Sequence, residues 1–170
     1  YYPDKYKQIV IIRPPVQTQE IGFLPGTEQE KASVYEGPYA PIVNQIMNRG
    51  DAYQLMKQKE IIKFELTTFL RGITLDNSIV IVDEIQNCSS SIADTILTRI
   101  GNNSKLLICG DVHQRDLQKA NLCNIEKFLN VIESLHNQFD CTYFEVNDIV
   151  RSGLIKDYIK QKYKIYPESY

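Results

Sequence analysis

The sequence predicts an α/β fold with a mostly parallel sheet and helices on both faces. Two runs dominated by apolar residues, 79–82 and 105–109, lack the polar alternation of a half-exposed strand. Such runs are typical of strands buried on both faces, as in a parallel sheet covered by helices. Strand-like and helix-like segments also alternate along the chain. We therefore expect the strands at 79–82 and 105–109 to be adjacent, parallel, central and buried.

The first part of the chain is predicted to hold two strands and two helices. The apolar run at 8–12 ends at Arg13-Pro14-Pro15, and the two prolines stop the strand. Apolar residues at helical spacing predict a helix over 38–49, and Gly50 is a plausible stop. The remaining predicted elements are an ordered loop at 16–36, a short helix at 52–58 and a strand at 61–66.

The second part of the chain continues the same alternation after the strand at 79–82. Three serines at 89–91 offer N-caps for a helix that Gly101 ends, and the strand at 105–109 follows. Further predicted elements are an amphipathic helix at 125–135, a strand at 141–146 and a last helix around 154–159. At 170 residues, the chain is predicted to be a single domain, 1–170.

The charge, the cysteine content and the lengths of the apolar stretches limit which partners and cellular environments we expect for the protein. A net charge of −2 and a pI of 5.7 give no global electrostatic footprint for nucleic acid, so any such contact needs a local patch. The four cysteines form no C-x-x-C pair, which favours free thiols in a reducing, cytoplasmic environment. No apolar stretch approaches the length of a membrane span, and the first residues lack signal-peptide character, so we expect no membrane partner.

Acidic residues follow both apolar strands. Asp83 and Glu84 end the first, and Asp111 ends the second within G-D-V-H-Q. Ligands of open α/β sheets bind at the carboxyl ends of the strands, so these side chains are candidates for a site. An aspartate there can hold Mg²⁺, and a neighbouring glutamate can orient or deprotonate a water. The alternative, that Asp83-Glu84 only caps the strand, is weakened by the second acidic strand end.

Five motifs in order carry a resemblance to a known family. They are I-I-R-P at 11–14, G-F-L-P-G-T-E-Q-E-K at 22–31, R-G-I-T-L-D-N-S-I-V-I-V-D-E-I-Q-N at 71–87, L-T-R-I-G at 97–101 with S-K-L-L-I-C-G-D-V-H-Q-R-D-L at 104–117, and N-D-I-V-R-S at 147–152. With these motifs the chain resembles the PhoH-like ATPases, whose RecA-like P-loop NTPase core is related to superfamily 1 helicases. The resemblance implies ATP and Mg²⁺ as cofactors.

The resemblance also implies residue roles. Asp83 and Glu84 occupy the Walker B position, as Mg²⁺ ligand and water activator. Gln114 is implied as the sensor of the γ-phosphate, and Arg151 as the arginine that stabilises charge on the transferring phosphate. Asp111 joins Asp83, Gln114 and Arg151 among the residues expected at the nucleotide.

One part of the family pattern is missing from these 170 residues. The P-loop, G-x-x-x-x-G-K-S/T, occurs nowhere in them, so the backbone nest and lysine for the phosphates are absent. We therefore expect a chain truncated at its amino terminus, lacking the P-loop strand and helix, inactive alone and weak in ATP binding. The missing strand should belong between 105–109 and 141–146, leaving backbone groups unpaired on both facing edges.

Two other functions remain open at this point. Asp83, Glu84 and Asp111 could cluster around two Mg²⁺ ions in a metal-dependent nuclease, or the chain could be a non-catalytic interaction module that lost its P-loop. For the leading interpretation, the resemblance implies coupling to RNA or single-stranded DNA and a homo-oligomeric ring. Arg13 could face nucleic acid or pair with a carboxylate at the sheet edge.

Overall fold

A four-stranded parallel sheet forms the centre of the protein. The computed structural model describes residues 4–15, 28–111 and 125–165. The strands are β1 (Gln8–Arg13), β2 (Ile62–Leu66), β3 (Ser78–Val82) and β4 (Lys105–Ile108). Their order across the sheet is β2-β1-β3-β4, and every neighbouring pair is parallel. The predicted α/β class and the parallel pairing of β3 with β4 are confirmed.

Helices cover both faces of this sheet. The described residues form the helices α1 (Glu28–Glu36), α2 (Tyr39–Ile46), α3 (Ala52–Gln58), α4 (Ser90–Arg99), α5 (Ile125–Ser134) and α6 (Gly153–Ile165), of which α2 to α5 contribute to the two cores. On one face, Val10, Ile12, Val80 and Val82 form a cluster with residues of α4 and α5. On the other face, Ile11 and its neighbours pack against α2 and α3. Alternate residues of β1 therefore belong to different cores, as the period of two in a strand requires.

The position of β4 differs from the prediction. Among the described residues β4 lies at the edge of the sheet, and Leu107 is 38% exposed. Leu106 and Ile108 pack against the cluster on the α4 and α5 face. Leu107 points to the opposite face, where α2 and α3 cover β1 and β2 instead. The prediction of a central, fully buried strand was therefore wrong, whereas β3 does lie inside the sheet between β1 and β4.

The strand predicted at 141–146 is also absent, because these residues pair with no strand in the described part of the chain. Tyr143 and Phe144 are exposed, and the segment ends in a 3-10 turn at Val146–Asp148. A reciprocal capping box fixes this turn: the Asp148 carboxylate accepts the Glu145 backbone N–H at 2.7 Å. The segment thus ends in a locally capped turn. It lacks the backbone hydrogen bonds to a neighbouring strand that would make it part of the sheet.

Two predictions on the α2 side of the sheet need smaller corrections. The predicted loop at 16–36 contains α1 in its last nine residues, which are rich in good helix formers, and 16–27 lies outside the described residues. The predicted helix at 38–49 is shorter. It ends before Gly50, because Asn48 adopts a left-handed conformation with φ of 48°.

Other boundaries agree closely with the prediction. The helix at 52–58 is found as predicted, and Ser89 is the serine that caps α4, accepting the Ile92 backbone N–H. Within the described ranges, every helix is too short or too polar to traverse a lipid bilayer.

Candidate active site at the carboxyl edge of the sheet

The carboxyl ends of three neighbouring strands bring the candidate residues together. Arg13 is the last residue of β1, Asp83 and Glu84 follow β3, and Asp111 comes three residues after β4. Ile12 pairs with Val82, and Val82 pairs with Ile108, so the three strands end at the same level. Parallel strands therefore place these side chains along one edge, where open α/β sheets bind their ligands.

The Asp83 carboxylate is held on both oxygens. Its Oδ2 accepts a hydrogen bond from the Tyr39 hydroxyl at 2.6 Å, and its Oδ1 accepts the Glu84 backbone N–H at 3.1 Å. The Asp83 backbone N–H donates to the Ile12 carbonyl oxygen at 2.9 Å, which extends the pairing of β3 with β1. Asp83 consequently has a fixed backbone and an oriented side chain that remains 30% exposed.

Tyr39 reaches this site from the first residue of α2. Its ring packs on Phe64 of β2 with 5.7 Å between the ring centroids. Burial, followed by the hydrogen bond to the Asp83 carboxylate, raises the pKa of the Tyr39 hydroxyl well above its ordinary value. The hydroxyl is therefore protonated at neutral pH and acts as a donor to Asp83.

Glu84 turns the chain away from the sheet. Its backbone is left-handed, with φ of 57° and ψ of 41°, and it leads into a 3-10 turn at Ile85–Asn87. This conformation is unfavourable for a residue with a side chain, by about 1 kcal/mol or more, and is often found at functional sites. The Glu84 side chain is 34% exposed, so its carboxylate faces the edge of the sheet and can reach a ligand.

Gln86 connects Glu84 to the loop after β4. Its side chain is almost fully buried; Nε2 donates to Glu84 Oε2, and Oε1 accepts the Asp111 backbone N–H at 3.1 Å. Gly110 lies directly against this amide: a Cβ placed on it would be 2.7 Å from Gln86 Oε1 and from Ile85 Cγ2. The glycine is needed here for close approach.

Arg13 supplies the positive charge beside the acidic pair. Its Nη1 lies 3.9 Å from Asp83 Oδ2, and its Nη2 lies 3.7 Å from Glu84 Oε1. Both distances are longer than a hydrogen bond, so the guanidinium faces the carboxylates without clamping either one. Its Nε is buried and has no hydrogen-bond partner within the described ranges. Arg13 thus lies beside carboxylates at the sheet edge, as one of its two interpretations expects, and contact with nucleic acid stays a prediction.

Two further residues, Gln114 and Arg151, were predicted for this site. Gln114 lies outside the described residues. Arg151 is exposed and, as far as the chain is described, forms no ion pair with Asp83 or Glu84. In the same part of the chain, no group of three or more His, Cys, Asp or Glu side chains is arranged to hold a metal ion. The three-carboxylate cluster expected for a nuclease is therefore not formed there.

Two residues of this network were missed by the sequence analysis. Tyr39 lies in the helix predicted over 38–49, and no sequence pattern links it to a carboxylate 44 residues later. Gln86 stands two residues after Glu84, and its position in D-E-I-Q was the available signal. Gln86 bridges Glu84 to the loop after β4, and sequence spacing alone does not show that this loop lies near Gln86.

The fold and this edge together define a parallel α/β protein with an acidic pair at the end of an internal strand. Comparison with known proteins makes this specific: the family model described as "PhoH-like protein" matches residues 2–164. The chain belongs to the PhoH-like family.

Curated relatives agree with this assignment. The chain is 33% identical over 158 residues to the PhoH-like protein of Bacillus subtilis (strain 168), covering 91% of this chain and 48% of the relative. It is 30% identical over 150 residues to the PhoH-like protein of Synechocystis, covering 88% and 45%. It is 33% identical over 152 residues to Protein PhoH of Escherichia coli (strain K12), covering 86% and 42%. The chain thus spans slightly less than half the length of these relatives.

Proposed function

We propose that this chain supplies the metal-binding and water-activating side of an ATP-hydrolysing site. The observation that carries the proposal is the separate support of two adjacent carboxylates. Asp83 is oriented by Tyr39, whereas Glu84 is oriented by Gln86, so the two acids have different partners at one strand end. Because the two carboxylates have different partners, one can bind a cation while the other accepts a proton.

Asp83 fits the requirements of a Mg²⁺ ligand. Mg²⁺ keeps several waters and takes only one or two protein carboxylates together with substrate phosphates, so one exposed aspartate is sufficient. The Asp83 side chain is oriented and remains 30% exposed at the strand end. When bound, the ion would supply charge neutralisation at the phosphate oxygens.

Glu84 fits the role of water activator. Its Oε2 is committed to the Gln86 amide, which leaves Oε1 to orient a water and accept its proton. Arg13, 3.7 Å from Oε1, offsets part of the repulsion between the carboxylates and an anionic substrate. Phosphoryl transfer depends mainly on positioning and on such charge compensation.

The remaining parts of the proposal come from the motif match. Gln114 is proposed as the γ-phosphate sensor and Arg151 as the residue that stabilises charge on the transferring phosphate, with Asp111 near the nucleotide. Coupling to RNA or single-stranded DNA, assembly into a ring and a cytoplasmic location are proposed on the same basis. The 170 residues contain no P-loop sequence, so we expect this chain alone to be inactive and to bind ATP with no better than high-micromolar affinity.

The test is Glu84→Gln in the complete gene product. Loss of the proton acceptor should lower kcat for ATP hydrolysis by at least about 100-fold, while the Kd for ATP changes less than about threefold. Glu133→Gln, on an exposed position of α5, is the matched control and should hydrolyse ATP normally. Near-normal turnover in Glu84→Gln would remove Glu84 from its role.

Calorimetric titration of the 170-residue chain with ATP and Mg²⁺ tests the rest. Low-micromolar binding would show that the phosphates are held by something other than a P-loop. If the complete gene product neither binds nor hydrolyses ATP, the non-catalytic interaction module becomes the better interpretation.

A further inference from the structure

The hydrogen bond from Tyr39 to Asp83 is a contact from a covering helix to the acidic strand end. The two residues are 44 positions apart in sequence, and the 2.6 Å distance from the Tyr39 hydroxyl to Asp83 Oδ2 is that of a charge-assisted O–H···O⁻ hydrogen bond. The proposed function gives Asp83 the role of cation ligand but does not explain why its partner is a phenol. Its presence therefore calls for a role of its own.

Tyr39 is held firmly enough to act as a support. Pro38 precedes it, and its ring lies among the apolar residues of the α2 and α3 face. On the other side of Gly37-Pro38, the Glu36 carboxylate accepts hydrogen bonds from the Tyr53 hydroxyl at 2.7 Å and from Lys57 Nζ. Both donors belong to α3, so the corner between α1 and α2 is fixed on each side.

The alternative partner for Asp83 is Arg13. Its Nη1 stands 3.9 Å from the same Oδ2 atom that Tyr39 occupies, outside hydrogen-bond distance. A guanidinium and a carboxylate free to move would close to about 2.8 Å and form a charge-assisted pair. In this structure the phenol, and not the guanidinium, is within hydrogen-bond distance of this carboxylate oxygen.

We propose that Tyr39 is a positioning residue, whose hydroxyl keeps Asp83 available to a divalent cation by preventing a closed ion pair with Arg13. This inference rests on the proposed role of Asp83 as a metal ligand. A partner of this kind typically changes metal affinity by 10–100-fold without touching the metal itself.

The test removes the hydroxyl group from Tyr39 and, as a control, from an exposed tyrosine. Tyr39→Phe in the complete gene product should weaken Mn²⁺ binding, measured by electron paramagnetic resonance with a non-hydrolysable ATP analogue, by about tenfold. The Mg²⁺ concentration for half-maximal hydrolysis should rise by the same factor, while kcat at saturating Mg²⁺ stays within about threefold. Tyr158→Phe, at an exposed position of α6, is the matched control and should leave both thermal stability and metal affinity unchanged.

A second variant tests the competition with Arg13 directly. If Arg13 captures Asp83 when the phenol is lost, Arg13→Gln combined with Tyr39→Phe should bind Mn²⁺ more tightly than Tyr39→Phe alone. Equal Mn²⁺ affinities of Tyr39→Phe and the unsubstituted protein would overturn the inference. A further loss of affinity in the double variant would do the same.

Asp83→Asn separates this inference from the proposed function. If Asp83→Asn weakens Mn²⁺ binding at least tenfold and Tyr39→Phe does not, only the positioning role fails. If Asp83→Asn binds Mn²⁺ normally, Asp83 is not the metal ligand, and both proposals fail together.

Discussion

Replacing Gly110 by alanine tests how tightly the loop after β4 is packed against the candidate site. The added Cβ would lie 2.7 Å from Gln86 Oε1 and from Ile85 Cγ2. Ordinary contact begins at 3.4 Å, so each neighbour would have to retreat by about 0.7 Å. Ile85 is buried and Gln86 is almost fully buried, so neither side chain has free space to move into.

The expected loss of stability follows from these two contacts. Overpacking of a well-packed site costs roughly 1–3 kcal/mol. Moving the Gln86 amide also weakens its hydrogen bond with the Asp111 backbone N–H, a contribution of about 1 kcal/mol. A total near 3 kcal/mol corresponds to a change of roughly 100-fold in the unfolding equilibrium. For a domain of this size it lowers Tm by roughly 6–12 °C.

Urea denaturation and thermal unfolding of the chain measure this effect. Gly50→Ala is the matched control, because a Cβ there meets nothing within 4 Å, and its stability should change by less than about 0.5 kcal/mol. In a Gln86→Ala background, the Gly110→Ala penalty should shrink, because one of the two close contacts is gone. If Gly110→Ala unfolds like the unsubstituted chain, the tight packing of Gln86 against this glycine is refuted.

Two further predictions concern stability away from the site. Glu60 has a left-handed backbone, φ of 54°, just after α3, so Glu60→Gly should stabilise the chain by about 0.5 kcal/mol in urea denaturation; destabilisation would contradict the backbone argument. Burial raises the pKa of the Glu65 carboxyl group. The ionised form of Glu65 therefore destabilises the folded state above that pKa, and this destabilisation disappears as the group is protonated at lower pH. Glu65→Gln should therefore raise Tm at pH 7 and have little effect below pH 4; a pH-independent difference would exclude this explanation.

The sequence predicted the centre of the fold well. Strands β1 to β3 and helix α3 form from local apolar patterns and stop signals that are read within a few residues, so their positions could be predicted. Asp83 and Glu84 follow β3 directly, and their location at a carboxyl strand end followed from the strand itself.

Features that depend on distant partners could not be predicted in this way. Leu107 carries the same apolar signal as the buried residues of β3, but its exposure depends on which helices cover that face. The segment at 141–146 has an apolar pattern, yet a strand also needs a neighbour to pair with. The link between Tyr39 and Asp83 exists only because α2 packs against β1 and β2.

The backbone on both sides of Glu84 is held by hydrogen bonds that do not depend on the Glu84 side chain. The amide of Asp83, one residue before, donates to β1 at Ile12, and the amide of Ile85, one residue after, donates to the carbonyl oxygen of Cys109. The residues before and after Glu84 are thus bonded to the two chain segments that flank β3, at Ile12 of β1 and at Cys109 just after β4. A substitution at Glu84 would leave these two backbone hydrogen bonds in place. The side chain at position 84 could therefore change during evolution with little rebuilding of the sheet beneath it.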